Sequence, residues 1–462
     1  MTASSDTSHD KMDTRAILSW SFYDWAAQPF FTLITTFIFA PYFASALASS
    51  PEEGQTLWAF ATATAGICIA ISAPILGSIA DATGRRKFWI LVFSIPYVIC
   101  CWAFWYAAPG APHAIAIALI AFTIGTLSIE VATVFNNAMM PTLVPKKHLG
   151  TLSSFGWGVG YVSGLVTLLF TLGFFAANPT TGVTLLGHEP LFGLDAATQE
   201  GDRVVGPFSA LWYLVFALPM FLFVQDSPQR SKIGPAIKKG LADLAESLSQ
   251  ARSNRNIFLF LIANLSLKDG LVALFAFGGI YAEGQLGWTT IEIGIFGIIL
   301  TITGTLGLIL GGPMDDRLGA KPVLIFSLLV LIICSIGMIS VDETTVLFVI
   351  KVEAAPEGAM FASLPEQIFI GLGALIGAVS GPLQASCRSF LVRLAPKEHM
   401  TQYFGLLAFS GKSTSFLGPL ALGVVTALTA SQRAGMSVII VFFVVALFVL
   451  LLVREPRHEE AT

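Results

Sequence analysis

The chain has 462 residues, of which 55% are hydrophobic and 12% are charged, and its formal net charge is −4. Soluble domains usually carry about 25% charged residues, so this composition excludes an ordinary soluble domain and predicts a membrane protein. The 37 Phe and 42 Gly residues are typical of helices that face lipid and pack closely on one another. The five cysteines lie in or beside apolar runs without a CxxC or Cys/His cluster, so we expect no metal site and no disulfide.

Twelve apolar runs, each about 20 residues long, are predicted to cross the membrane. Residues 1–16 are polar and lack the apolar core of a signal peptide, so we expect a cytoplasmic tail there and a second tail at 454–462. The runs span residues 17–45, 56–80, 87–107, 113–136, 151–176, 207–224, 257–282, 289–312, 322–340, 364–387, 400–428 and 434–453. The expected fold is an all-α membrane protein with twelve transmembrane helices in two pseudo-symmetric six-helix bundles, residues 17–224 and 257–453.

The basic residues are distributed unevenly between the two sides of the membrane. An even number of spans places both termini on one side, and 20 of the 25 Lys and Arg residues fall on that side. Only Arg203, Lys351 and Arg433 fall on the other side, and Lys268 and Lys412 lie inside spans. Positive charge is retained in the cytoplasm. Both termini are therefore predicted to be cytoplasmic, in a multi-pass protein of the plasma or inner membrane, or of the vacuole in a eukaryote.

The connecting segments differ in character. Residues 225–256 join the bundles, carry basic residues and place Ile237, Leu241, Leu244 and Leu248 at spacings of three and four. This pattern predicts an amphipathic cytoplasmic helix at the membrane surface or under the bundle. The loops at 177–206 and 341–363 lie on the opposite side, and either could hold a short helix.

Two cytoplasmic loops carry the same signature, G-x-x-x-D-x-x-G with adjacent cations. The two copies read Gly77-Ser-Ile-Ala-Asp81-Ala-Thr-Gly84-Arg85-Arg86 and Gly312-Pro-Met-Asp-Asp316-Arg317-Leu-Gly319. A second repeat aligns residues 143–149 with 394–400, which pairs Asn137 with Arg388 and Tyr161 with Lys412. Duplication on an apolar chain predicts two copies of one bundle, an arrangement most often found in transporters with a binding site between the halves.

The signature residues are candidates for gating. We expect Gly77 to permit close helix contact, Asp81 to accept hydrogen bonds from a neighbouring helix N-terminus, and Arg85 and Arg86 to anchor the loop at the lipid headgroups. Asp316 and Arg317 are the corresponding residues of the second copy. Such a charge cluster can latch one conformation and release in another. Asn137 and Arg388, near the cytoplasmic ends of their spans, are also gating candidates.

Five ionisable residues lie inside predicted spans and away from the span ends, where they are costly and usually face a cavity or a partner. They are Asp24, Glu130, Lys268, Asp269 and Lys412. At about 1.5 Å per residue, all except Asp24 lie near the membrane midplane. Lys268 and Asp269 are sequence neighbours with side chains about 100° apart, so each is expected to meet another span. Structural alternatives stay open: Asp24 as an interfacial cap, and Lys412 in a salt bridge to Glu130 or Asp269.

The signature between spans two and three resembles that of the major facilitator superfamily. Further strings resemble its branch of autophagy-related vacuolar amino-acid effluxers and their bacterial relatives. These strings include Ser21-Phe-Tyr-Asp24-Trp25-Ala26 and Gln384-Ala-Ser-Cys-Arg388, with others at residues 156–161, 268–271, 278–282, 404–405, 410–412 and 417–419. The resemblance implies amino-acid export and a cavity lined by spans one, four, seven and ten or eleven. Tyr161 and Gln384, inside these strings, join the substrate and coupling candidates.

These observations predict a secondary transporter that works by alternating access, and not an enzyme. No P-loop precedes a helix in a soluble domain, so neither ATP hydrolysis nor a cofactor is expected. Glu130 could pick up and release a proton, and Lys412 or Lys268 with a carboxylate would suit a zwitterion. We therefore expect a small polar solute, foremost an amino acid, driven by a proton gradient.

Three alternatives to this function remain open: another organic anion, a peptide or a lipid headgroup as cargo; sodium coupling; and a non-transporting sensor. The expected partners are the lipid bilayer and a small-molecule substrate. We expect no nucleic acid and no obligatory oligomer.

Overall fold

The computed structural model describes residues 13–83, 85–144, 149–226, 233–353, 359–395 and 400–454. Within these ranges, eleven helical segments are long and apolar enough to cross a membrane, and the shorter apolar helix Leu417–Thr429 lies in the predicted eleventh span. The helices are α1 (Thr14–Pro29), α2 (Phe39–Tyr42), α3 (Pro51–Thr83), α4 (Arg86–Ala103), α5 (Ala114–Asn137), α6 (Met140–Leu143), α7 (Leu149–Phe174), α8 (Glu200–Arg203), α9 (Val205–Phe223), α10 (Ile233–Ser253), α11 (Arg255–Leu286), α12 (Thr290–Leu318), α13 (Ala320–Ile339), α14 (Leu364–Leu394), α15 (Met400–Ser413), α16 (Leu417–Thr429) and α17 (Gln432–Leu452). The twelve-span prediction is confirmed.

The first span is a composite helix. It begins at Thr14, where the side chain of Asp13 caps the helix by accepting hydrogen bonds from the backbone N–H groups of Arg15 and Ala16. After Pro29 the chain continues as a π-helix over Phe30–Phe37, and a second π-helical segment covers Phe43–Leu47. π-Helical turns are rare in proteins, and those that occur are often found at functional sites. The π-helix over Phe30–Phe37 lies beside the cavity described below.

The eleventh span is broken, whereas the sequence predicted one continuous helix over residues 400–428. Helix α15 ends at Ser413 and α16 begins at Leu417, with a turn in which the Leu417 N–H donates to the Thr414 carbonyl at 2.7 Å. Pro419 has no backbone N–H group, so it cannot form the helical hydrogen bond to the carbonyl four residues earlier, across the turn. The break is therefore a consequence of the local sequence around Pro419, which the apolar pattern of the span did not indicate.

The segments between spans confirm one loop expectation and correct another. The loop at 177–206 contains the short helix α8, as expected, whereas the loop at 341–363 forms an antiparallel hairpin of β1 (Thr345–Val346) and β2 (Ile350–Lys351) and no helix within its described residues. The predicted amphipathic linker helix is α10, which packs against α3 and α11. Leu248 on its predicted apolar face is 47% exposed. The loop repeat at 145–148 and 396–399 lies outside the described residues.

The two halves are joined at the end of the molecule away from the chain termini, which we call the distal end; the opposite end is the terminal end. Gln55 on α3 donates hydrogen bonds to the Thr426 hydroxyl at 2.8 Å and to the Gln432 carbonyl at 3.3 Å. Gln432 in turn donates to the Pro51 carbonyl at 3.1 Å and accepts from Gln285. All three polar side chains of this cross-bundle contact, Gln55, Thr426 and Gln432, are buried, so the distal end is closed.

Candidate functional site

A cavity of about 190 Å³ lies between the two halves. Its walls come from the first span and α7 on one side and from α11, α12 and α14 on the other. Sites for drug-sized ligands usually occupy about 300–1,000 Å³, so this cavity suits a smaller solute. The lining residues are Gln28, Phe31, Thr32, Thr36, Phe37, Tyr161, Gly164, Leu165, Phe275, Leu300, Thr301, Gly304, Thr305, Leu308, Gly377, Ser380, Gly381 and Gln384.

The cavity is reached from the terminal end. Helix α12 runs from the distal to the terminal end, and its lining residues Thr305 and Leu308 are exposed whereas Leu300 is only partly exposed. Tyr161 on α7 is 39% exposed. Together with the closed distal contact, these exposures of lining residues indicate that the cavity opens toward the side on which the termini lie.

Polar side chains on the lining follow a helical spacing of four residues. Gln28, Thr32 and Thr36 share one face of the first span, and the Gln28 amide donates to the Thr32 hydroxyl at 3.3 Å. The pairs Thr301 and Thr305 on α12 and Ser380 and Gln384 on α14 repeat the same spacing. The sequence analysis missed all of these except Gln384, although polar residues four apart in apolar spans were a signal that could have found them.

Close packing of α12 on α14 builds one wall of the cavity. A β-carbon at Gly307 would overlap the carbonyl oxygen of Ala378, so glycine is required where the two backbones meet. Gly304, Gly377 and Gly381 from the same seam line the cavity itself. Their missing side chains leave both the space and the exposed backbone that a small solute could contact.

Cationic groups gather at one side of the cavity. The ammonium of Lys268 on α11 donates to the Gln384 Oε1 atom at 2.7 Å. Arg388, one helical turn beyond Gln384 and exposed, lies within electrostatic range of both Lys268 and Tyr161. The structure thus brings together four predicted site residues, Lys268, Tyr161, Gln384 and Arg388, and arranges two positive charges beside a hydroxyl- and amide-lined cavity.

The predicted carboxylates lie outside this lining. Asp24 is one turn before Gln28 on α1 and faces α7, where a β-carbon at Gly156 would meet its carboxylate oxygen. Glu130 on α5 is half-buried. Asp269 is fully buried and faces the break in the eleventh span. Lys412 belongs to α15, and its side chain is outside the described residues.

The gating candidates fall into two groups. Asn137, Arg85 and Arg317 are exposed, whereas Arg86 is 8% exposed. The expectation that Arg86 anchors the loop at the headgroups is therefore wrong, because its side chain turns into the bundle. The surroundings of Gly77 and the side chains of Asp81 and Asp316 lie outside the described residues. Their role in latching one conformation therefore stays a prediction.

Asp315, the residue before Asp316 of the second motif, makes a contact that the sequence analysis did not predict. Asp315 on α12 pairs with Arg393 on α14 at 2.9 Å and accepts hydrogen bonds from the hydroxyls of Ser386, at 3.1 Å, and Ser389. This cluster ties α12 to α14 at the terminal end. The side chain of Asp316, for which the motif predicts such a contact, lies outside the described residues, so that role stays a prediction.

Solved structures with the same fold define the class of protein. The xylose transporter XylE from E. coli, in a partially occluded inward-open conformation, aligns with a TM-score of 0.63 and 13% identity over 96% of this chain and 98% of that chain. The nucleoside transporter NupG aligns with a TM-score of 0.60 and 14% identity over 95% and 98% of the two chains. The fold is that of the major facilitator transporters, and the eleven long apolar helices among the described residues indicate an integral, multi-pass membrane protein.

The family follows from the sequence matches. Residues 12–462 match the family described as vacuole effluxer Atg22 like, and the chain belongs to that family. An uncharacterized MFS-type transporter, YxiO from Bacillus subtilis (strain 168), is 25% identical over 463 residues, which is 98% of both chains. Autophagy-related protein 22 from Coccidioides immitis (strain RS) is 25% identical over 288 residues, 60% of this chain and 43% of that protein. The chain spans about half the length of the fungal relatives it matches.

Proposed function

We propose that this transporter carries a small amino acid between the two sides of the membrane by alternating access, and that in the cell it exports the solute. The observation that carries the proposal is the Lys268–Gln384 contact beside the cavity, with Arg388 one turn away. Ammonium and guanidinium groups bind carboxylates by charge-assisted hydrogen bonds. The α-carboxylate of the solute would bind here, and the amide and hydroxyl oxygens of Gln28, Thr32 and Tyr161 would accept hydrogen bonds from its ammonium.

A second cargo class has its own support. None of the cavity-lining residues in the described part of the chain carries a carboxylate that would pair with an ammonium. A small organic anion without an amino group would therefore lose less on entering than a zwitterion, because burying an unpaired charge is costly. Comparing an amino acid with the carboxylic acid of the same carbon skeleton distinguishes the two cargoes.

The test of the binding proposal is Lys268→Met, compared with Lys321→Met. Lys321 lies at the terminal end and donates to the Val453 carbonyl at 2.6 Å, so its loss removes a lysine without touching the cavity. We expect amino acids to raise the melting temperature of the purified wild type and of Lys321→Met. Lys268→Met should need at least about tenfold more ligand, the loss of one charged hydrogen bond. Equal ligand effects in both variants would contradict the proposal.

Proton coupling is the remaining part of the proposal, with Glu130 as the group that carries the proton. It rests on the position of a half-buried carboxylate on α5 and on the use of carboxylates within membrane spans as proton relays in transporters. In proteoliposomes, Glu130→Gln should abolish accumulation driven by a pH gradient and keep counterflow exchange, since exchange need not move the proton. Glu246→Gln, on exposed α10, is the control. Normal gradient-driven accumulation by Glu130→Gln would exclude Glu130 as the coupling group.

A further inference from the structure

A buried acidic group lies in the C-terminal half, away from the cavity. Asp269 on α11 is 0% exposed, and among the described residues neither of its carboxylate oxygens has a hydrogen-bond partner at normal distance. The Thr414 hydroxyl, at the break between α15 and α16, lies beside this carboxylate, and its oxygen atom is also buried. An ionised carboxylate is costly to bury alone, so this position needs a group that balances the charge.

The helix break supplies further oxygen atoms next to Thr414 in the chain. The last four carbonyl groups of a helix have no partner inside it, and in α15 these belong to residues 410–413. The C-terminal end of a helix also carries a partial negative charge. In transporters with interrupted helices, unwound carbonyls and helix C-terminal ends coordinate sodium ions or protons. The break therefore presents the features of a cation site next to the Asp269 carboxylate.

Close packing brings the start of α16 against α11 at Asp269. A β-carbon at Gly418, the second residue of α16, would overlap the carbonyl oxygen of Asp269, so only glycine allows α16 to approach α11 so closely. Toward the terminal end, Asn264 on α11 donates to the Ser410 hydroxyl at 3.0 Å and leaves its own Oδ1 atom buried without a partner. A seam of oxygen-bearing side chains thus runs from the terminal end to Asp269.

Few charged groups face this seam. The ammonium of Lys268, next to Asp269 on α11, is bonded to Gln384. Residues 417–429 of α16 and 434–452 of α17 include no ionisable side chain. Lys412 is on α15, and its side chain is outside the described residues. Among the described contacts, the carboxylate of Asp269 has no counter-charge.

We propose that the Asp269 carboxylate, the Thr414 hydroxyl and the carbonyl oxygens at the end of α15 bind a sodium ion. Hard cations prefer carboxylate, hydroxyl and carbonyl oxygens. A sodium ion would use carboxylate, hydroxyl and carbonyl oxygens together, whereas a proton would need only the carboxylate. The site goes beyond the proposed amino-acid transport and would couple that transport to sodium in addition to protons.

The experiment measures ion binding without substrate. Purified protein is melted at constant pH and ionic strength in mixtures of sodium and potassium chloride. We expect a saturable rise of the melting temperature with sodium, because a ligand stabilises the state that binds it. Asp269→Asn should remove this rise, and Thr414→Val, which keeps the side-chain shape, should raise the half-saturating sodium concentration about tenfold. Glu283→Gln neutralises another carboxylate of α11, at its distal end, and should keep the wild-type response.

Several results would overturn the proposal. Equal melting of the wild type in sodium and potassium would exclude the site, as would unchanged sodium dependence in a folded Thr414→Val variant, even if Asp269→Asn does not fold. A melting temperature that depends on pH through Asp269 but not on sodium would assign a proton to the position. Because no substrate is present, such failures leave the transport proposal untouched, and that proposal fails separately if Lys268→Met binds amino acids normally.

Discussion

At the residue scale, burial determines which of two similar ion pairs contributes more to stability. Asp315 and Arg393 pair at 2.9 Å with side-chain exposures of 11% and 28%, and two serine hydroxyls also bind the carboxylate. Asp342 and Arg433 pair at 3.0 Å, with exposures of 30% and 31%, beside the hairpin loop. Solvent screens the second pair more than the first, and the first also holds two transmembrane helices together.

Replacing each of these aspartates with asparagine tests the difference. Asp315→Asn should destabilise the protein by about 1.5–3 kcal/mol, the range for hydrogen bonds to charged groups, whereas Asp342→Asn should cost less than about 1 kcal/mol. Apparent melting temperatures of the purified variants give the comparison. In proteoliposomes, Asp315→Asn should change turnover more than the substrate KM, because the cluster lies at the terminal end. An equal or larger drop for Asp342→Asn would contradict this ranking.

At the scale of single elements, glycine positions determine how closely neighbouring helices approach. Gly307 meets the Ala378 backbone across the α12–α14 seam, where a β-carbon has no room. Gly371, on the same helix as Ala378, has no atom within 4 Å of a built β-carbon. The two glycines therefore predict opposite effects of the same substitution.

Gly307→Ala should separate α12 from α14 and destabilise the protein by about 1–3 kcal/mol, the usual range for overpacking. Gly371→Ala should be neutral or stabilising by up to about 1 kcal/mol, because alanine favours a helix over glycine. Melting temperatures measure both, and substrate binding to Gly307→Ala should also weaken because the seam forms the cavity wall. A stable Gly307→Ala variant would show that the seam can relax and that close packing is not required.

At the scale of the whole molecule, the distal contact sets which side of the cavity is open. Gln55, Thr426 and Gln432 join the first and second halves through buried hydrogen bonds. Alternating access requires this contact to break, so its strength contributes to the balance between the two open states. The structure shows the state that is closed distally.

Gln55→Leu should shift that balance, because leucine keeps the volume and removes the donor. Spin labels at Glu53→Cys on α3 and Ala430→Cys beyond α16 report the distal distance by pulsed EPR, in a background without the native cysteines. We expect one short distance in the parent and an added, longer population in Gln55→Leu. The control is Thr64→Val, whose hydroxyl donates only to the Phe60 carbonyl of its own helix. A distance distribution identical to the parent's would show that these bonds do not hold the distal end closed.

The architecture of this protein could be predicted from the amino-acid sequence alone. Apolar runs long enough to cross a bilayer must form helices there, because no water is available to satisfy the backbone, and the duplicated G-x-x-x-D-x-x-G signature indicated two related bundles. Single residues with costly charges, such as Lys268 and Arg388, were also found from the sequence, since an ionisable group near a span's centre or mouth is conspicuous.

How those residues come together in space could be learned only from the folded chain. Which face of each helix meets the other half depends on the rotation and packing of helices distant in sequence, so the Lys268–Gln384 contact, the serine- and arginine-bound Asp315 and the Gln55–Thr426 bond were not predictable from local pattern. Hydroxyl and amide residues such as Thr32 and Thr305 carry no charge and blend into apolar spans, which is why the cavity lining escaped the sequence analysis. The position of Asp269 away from the cavity could also be learned only from the folded chain, because neighbouring residues on a helix point to different partners.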